Sequence, residues 1–213
     1  VASRRDGVLA SGGAEFFAAL LRAERGSVSR CGVAAGSIAS TASQRAAAHR
    51  AALQGSELFV CGSTSEATRK FVETQRARGI PVFALPPELA SGEEFSPAAL
   101  DEIAMRARAA FEKQQRVILC VGLPQVSDGT IAARLSSHLV TVAGALIVPA
   151  NVVSIFAEGG ATAVELARRM NWSRLTVQRE WQRGVVTLAA SDDKFFLTVK
   201  PGSYVWPEAL PAS

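Results

Sequence analysis

The sequence predicts an α/β fold: a doubly wound, mainly parallel sheet flanked by helices, with an antiparallel or mixed extension at its C-terminal end. Three observations carry this reading. From Leu58 to about Met170, short apolar runs alternate with stretches of helical periodicity. Several of the runs end in Gly or Ser, where a strand hands over to a helix. After Met170, three apolar runs follow one another with no helix between them.

In chain order, Leu58-Phe59-Val60-Cys61 is the first buried strand and closes in Gly62-Ser63. Ser63 to Glu66 has the Ser-x-x-Glu spacing of a capping box, so a helix is expected from there to about Arg78, stopped by Gly79. Pro81 to Leu85 is the next strand. Ser96-Pro97 reads as an N-cap and a first-turn proline, and Leu100, Ile103, Ala104, Ala107 and Phe111 mark one face of the helix that follows. Val117 to Val121 is a continuous apolar run, as suits a strand covered on both faces. Ile131, Leu135, Leu139, Val142 and Leu146 form a long helical stripe. Val152 to Phe156 is a strand, followed by Gly159-Gly160 and a helix to about Met170. Leu175 to Val177, Val185 to Leu188 and Phe195 to Val199 complete the sheet. Upstream the pattern is weaker. Ala14 to Arg25 reads as a helix, Gly26 to Gln44 as a linker or irregular crossing, and Arg45 to Leu53 as a short helix. The chain starts at Val rather than Met, and we expect it to be a piece of a longer polypeptide.

Composition narrows the function classes. A 48% hydrophobic and 20% charged chain is an ordinary globular one. No apolar run approaches the ~20 residues of a membrane span, and no signal peptide is visible, so no membrane partner is expected. Cys31, Cys61 and Cys120 have no Cys-x-x-Cys spacing and read as small buried hydrophobes in a reducing cytosol, giving a cytoplasmic location. Two histidines far apart, His49 and His138, make a zinc site improbable. The net charge of +4 is scattered. Its densest group, Arg69, Lys70, Arg76 and Arg78, shares a helix with Glu66 and Glu73 and reads as a solvated face, so nucleic acid is not an expected partner.

In an open α/β sheet, ligands bind beyond the carboxyl ends of the strands. That rule selects Gly62 to Ser65, Gly122 to Thr130 and Glu158 to Thr162. The last is the sharpest. Gly159 and Gly160 let the backbone approach a ligand, the helix after them offers unpaired N–H groups and a positive dipole end, and Thr162 offers a hydroxyl. These are the partners that phosphate oxygens need; a plain strand-to-helix turn is the alternative. Ser63 and Ser65 repeat the arrangement, with ordinary N-caps as the alternative. Lys200-Pro201-Gly202 closes the last strand and would bring a cation and turn amides to a phosphate, or be a β-turn with a solvated lysine. There is no P-loop, no Gly-x-Gly-x-x-Gly after a strand and no Gly-x-Ser-x-Gly elbow.

Taken in order, Gly62-Ser63-x-Ser65, Gly159-Gly160-x-Thr162-Ala163 and Lys200-Pro201-Gly202-Ser203-aromatic resemble the four-carbon acid sugar kinase family, formerly a domain-of-unknown-function family. The resemblance runs from about Leu58 to Pro207, over that family's C-terminal nucleotide-binding domain. It implies residues 1–25 as the tail of a preceding sugar-binding domain, 26–56 as a linker and 57–213 as the nucleotide-binding domain. It implies an ATP-dependent sugar-acid kinase, a transferase of carbohydrate metabolism that phosphorylates threonate, erythronate or 3-oxo-tetronate-type acids. ATP and Mg²⁺ are the implied cofactors, with Ser63, Ser65, Gly159, Gly160, Ala161, Thr162, Lys200 and Gly202 as the nucleotide-binding residues. Gly184 matches a further recurring glycine turn. No catalytic base and no metal ligand is assigned. The acid would be held by the missing N-terminal domain, so this chain alone is expected to bind nucleotide without turnover. Its interdomain face suggests a homodimer. The chain departs from the family at Ala161, where an acid is usual, and at Tyr204-Val205, where Phe-Gly is usual. Those departures define the alternative: a catalytically degenerate nucleotide-binding or regulatory module.

Overall fold

The computed structural model describes residues 55–90, 97–123, 128–190, 194–208 and 210. The expected helices over 14–25 and 45–53, the linker between them, and the Ser96 cap lie outside the described residues. The elements are β1 (Ser56–Cys61), α1 (Glu66–Ala77), β2 (Val82–Ala84), a 3₁₀ turn (Pro87–Ala90), α2 (Pro97–Phe111), β3 (Arg116–Cys120), α3 (Gly129–Ile147), β4 (Val152–Glu158), α4 (Gly160–Arg169), β5 (Leu175–Gln182), β6 (Val185–Ala190) and β7 (Phe195–Lys200).

The seven strands form one sheet in the order β2-β3-β1-β4-β7-β6-β5. The first five run parallel to their neighbours. β6 and β5 join antiparallel at one end, linked by a tight turn in which Gly184 takes a positive φ of 80°. The fold class is therefore as expected: α/β, mostly parallel, with an antiparallel extension. The main difference lies in the C-terminal strands. β5 reaches Gln182, because polar residues such as Arg179 and Glu180 pair along the sheet edge, where apolar periodicity gives no signal, and β6 reaches Ala190.

Alternation along each strand sorts the side chains onto two faces. Leu58, Val60, Val117, Leu119, Ile155 and Ala157 meet α2, α3 and α4 on one face in the larger core. Phe59, Cys61, Ile118, Cys120 and Phe156 face the other way, towards Val72 of α1 and the C-terminal residues Trp206 and Leu210. Phe59 and Phe156 stack at 4.3 Å between ring centres, and the edge of Trp206 meets both at 5.7 and 5.9 Å. Each such buried ring contributes about 1.5–3 kcal/mol by its burial alone. This cluster pins the chain after β7 against α1.

Among the described residues one helix, α3, is long and apolar enough to cross a membrane, a point the search for continuous apolar runs overlooks. Its Leu135, Leu139, Val142, Ala143 and Leu146 are buried in the larger core, so its apolarity is used in packing. At the mouth of the sheet, α1 begins later than the capping-box spacing suggests. Its N-cap is Ser65, whose Oγ accepts from the Thr68 amide at 3.3 Å. Ser63 instead uses its Oγ to accept from the Ser65 amide at 3.1 Å. The helix ends at Ala77, and Gly79, at φ 81°, makes the stop.

Candidate functional site

Parallel pairing aligns the carboxyl ends of three central strands. Cys61 sits beside Glu158, and Glu158 beside Lys200. The loops that leave this row are Gly62 to Ser65, Gly159 to Thr162 and Pro201 to Tyr204, so three of the expected stretches converge at one edge. Of the fourth, after β3, residues 124–127 lie outside the described residues.

The convergence is close and depends on glycine. A Cβ on Gly62 would fall 2.1 Å from Thr162 Oγ1, and one on Gly202 would fall 2.9 Å from Ser63 Oγ. Gly159 caps α4 at φ 96°, a conformation that disfavours side chains, and no side chain caps the helix. Its amide donates to the Lys200 carbonyl at 2.8 Å, tying the second loop to the third. Ser65 Oγ donates to the Gly202 carbonyl at 2.8 Å, tying the first to the third. The first amides of a helix have no intrahelical acceptor. Gly160 and Ala161, which carry them in α4, are exposed. The result is a cradle of backbone donors rimmed by serine hydroxyls, with the positive end of the α4 dipole at its base.

Two of the expected phosphate ligands face inward. Thr162 is buried, and its Oγ1 shares a hydrogen bond of 3.1 Å with Ser136 Oγ on α3. Its hydroxyl therefore fastens α4 to α3, and what it presents to the cradle is backbone. Lys200 is 1% exposed. Its Nζ makes a short ion pair with Glu158 Oε1. It also donates to the carbonyls of Pro201 at 3.1 Å and Tyr204 at 2.6 Å, and lies 5.1 Å from the Trp206 ring centre. The solvated lysine considered from the sequence is thus absent. The ammonium braces its own loop from beneath, and to touch a phosphate it would have to leave these partners.

Beneath the cradle runs a buried polar network. Glu158 Oε1 accepts from Lys200 and from Thr68 Oγ1, the latter at 2.8 Å. Thr68 Oγ1 lies 2.9 Å from Ser65 Oγ. Burial pushes the Glu158 carboxyl above its ordinary range, partly offset by Lys200, Thr68 and Cys61. Burial also pushes the Cys61 thiol up, and the Cys120 thiol up to about 11, so neither is an activated nucleophile. Sequence reasoning missed Thr68 and Ser136 as members of the site. Thr68 had a usable signal, since it stands at the third helical position after the cap Ser65, where side chain and cap meet. Ser136 had none, because it belongs to a helix remote in sequence.

The cradle suits phosphate oxygens but supplies no carboxylate for a metal. The first turn of α4 holds no acidic residue, and Glu158 is fully buried and paired with Lys200. Among the described residues no group of three metal-ligating side chains occurs. The residues described do not fit a protein-held Mg²⁺, which would have to be carried on the nucleotide's own phosphates.

The fold and the convergent glycine loops define a nucleotide-binding α/β domain. Comparison with family models agrees: residues 58–204 match the nucleotide-binding C-terminal domain family, and the chain belongs to it. The resemblance drawn from the three motifs is thereby borne out. Solved structures with this fold include a Bordetella bronchiseptica protein of the domain-of-unknown-function family DUF1537, a domain-swapped dimer with bound citrate. It shares 17% identity at a TM-score of 0.59, over 70% of this chain and 38% of that one. A Haemophilus influenzae protein of the same family shares 20% identity at a TM-score of 0.55, over 70% and 36%. A Salmonella typhimurium LT2 protein provisionally named a tRNA synthase shares 15% at 0.57, over 70% and 38%. The chain thus spans little more than a third of each neighbour. A comparison with curated proteins returned no significant match.

Proposed function

We propose that this chain is the ATP-binding domain of a kinase that phosphorylates four-carbon sugar acids of the threonate, erythronate or 3-oxo-tetronate type. The observation that carries the proposal is the cradle itself: the exposed start of α4 at Gly160 and Ala161, closed over by the Gly62–Ser65 and Gly202 loops. In phosphoryl transfer most of the work is positioning and charge stabilisation, which backbone donors at a helix start supply. Ser63, Ser65, Gly159, Gly160, Ala161, Thr162 and Gly202 are the contacts we assign to the phosphates. Lys200 acts from below by holding the Gly202 turn. The sugar acid would come from a further domain of the longer proteins to which this chain corresponds. A second copy of the chain is a candidate partner, by analogy with the dimeric Bordetella neighbour.

The test is thermal unfolding with millimolar ATP and Mg²⁺. A ligand that binds only the folded state at a hundred times its Kd stabilises it by about 2.7 kcal/mol, so a rise in Tm is expected and its absence counts against the proposal. A transferase is then assayed by joining the domain to its sugar-binding half and following ADP release with each acid.

One feature favours a second reading, a nucleotide-binding module without turnover: Ala161 stands where the resemblance drawn from the motifs implies an acid. Ala161→Asp separates the two. If it raises ATP affinity only when Mg²⁺ is present, a metal-holding function has been lost here; if it changes nothing, the kinase reading keeps its footing.

A further inference from the structure

We infer that Thr68 is a positioning residue for the nucleotide site and acts through the hydroxyl of Ser65; this rests on the nucleotide-binding role proposed for the Gly62–Ser65 loop. Thr68 lies one turn into α1 and is buried beneath the cradle. Its hydroxyl has a single proton, and that proton goes to Glu158 Oε1 at 2.8 Å. It therefore meets Ser65 Oγ, 2.9 Å away, only as an acceptor.

Ser65 also has one proton and is offered two acceptors. One is Thr68 Oγ1; the other is the Gly202 carbonyl at 2.8 Å. Its oxygen is held at the same time by the Thr68 amide. Thr68 thus holds the Ser65 oxygen through its amide and, with its own proton committed to Glu158, leaves the Ser65 proton to be given away. A phosphate oxygen entering the cradle becomes a third claimant on that proton. When the phosphate takes it, Gly202 retains only the longer Ser63 contact of 3.4 Å, and the turn is freed to close on the ligand. Lys200 anchors the carboxylate, which holds the Thr68 proton and keeps Thr68 Oγ1 an acceptor towards Ser65. Valine at position 68 has nearly the same shape but no proton to give. It would leave Oε1 with one donor fewer on a carboxylate whose Oε2 already has no hydrogen-bond partner.

The experiment is a double-mutant cycle on the full chain, reading Mg-ATP affinity by calorimetry, with Tm as the control for folding. Thr68→Val and Ser65→Ala are each expected to weaken ATP binding by roughly five- to tenfold, the value of one ordinary hydrogen bond lost. Thr68→Ser, which keeps the proton, stays near the wild-type affinity. Ser65→Ala with Thr68→Val is no weaker than Ser65→Ala alone, since Thr68 acts through Ser65. If Thr68→Val does not fold, Thr68→Ala takes its place in the cycle. Wild-type affinity in the folded Thr68 variant overturns the inference, and so do losses that multiply in the double variant. A wild-type chain that binds no ATP overturns the proposed function as well, and is told apart from the other outcomes because it appears before any substitution is made.

Discussion

Lys200 carries a full charge into the interior, and its compensation comes from Glu158 on β4, from two carbonyls of its own loop and from the Trp206 ring. Removing one member of such a buried pair leaves the other uncompensated, which costs about 3–5 kcal/mol. Lys200→Met is therefore expected to lower the urea midpoint sharply, while Lys200→Met with Glu158→Leu recovers most of the loss; equal midpoints for the single and double variants would refute this. The pair also has a pH signature. Burial raises the carboxyl pKa of Glu158, and likewise that of Glu57, which Arg116 only partly offsets. A raised folded-state pKa means that the folded protein holds the proton more tightly than the unfolded chain. The stability from that group is fully present below the unfolded value of 4.5 and is lost as pH rises through the folded value. Glu158→Gln is expected to flatten this decline as pH rises above 4.5, which urea titrations at stepped pH would show. The sequence displayed Lys200 at a strand end but not the direction of its side chain. That depended on Glu158, 42 residues away, and became visible only once β4 and β7 lay side by side.

The elements of the parallel sheet were readable because their side chains are sorted by burial. β1, β3 and β4 are covered on both faces and read as apolar runs, and α3 shows its stripe. β5 was cut short because it is a half-exposed edge strand whose polar residues carry no alternation that separates strand from loop. The start of α1 was misplaced by two residues because Ser63 and Ser65 both have capping chemistry, and only the geometry shows that Ser65 is the N-cap. Two expected outcomes belong at this scale. Gly62→Ala drives a Cβ into Thr162 Oγ1 and should cost about 1–3 kcal/mol by overpacking. Adding Thr162→Ala should recover part of that loss in a melting experiment; no recovery would show that the clash lies elsewhere. Trp206→Ala empties the centre of the aromatic cluster and should cost about 3–5 kcal/mol. It should also weaken ATP binding, because the ring helps to seat the chain that follows Gly202.

Across the described residues, a five-stranded parallel core brings to one edge loops as far apart in sequence as Ser63 and Gly202, 139 residues. Motif order and spacing made that convergence legible, since each loop follows a strand that ends at the same side of a parallel sheet. The inward turn of the Thr162 hydroxyl was not legible, because side-chain direction at a helix start is set by the neighbouring helix and strand. The central claim is that the start of α4 receives nucleotide phosphate, and Gly160 allows it to be tested without disturbing the fold. A Cβ there meets open space, and an acid in the first turn of a helix favours the dipole. Gly160→Asp should therefore melt at or above the wild-type temperature, yet place a negative charge where the phosphates bind. The decisive measurement is a Mg-ATP titration of wild type and Gly160→Asp side by side, read by calorimetry. Wild type should bind, and the equally stable variant should lose at least tenfold in affinity; undiminished binding by Gly160→Asp would contradict a phosphate site at the start of α4.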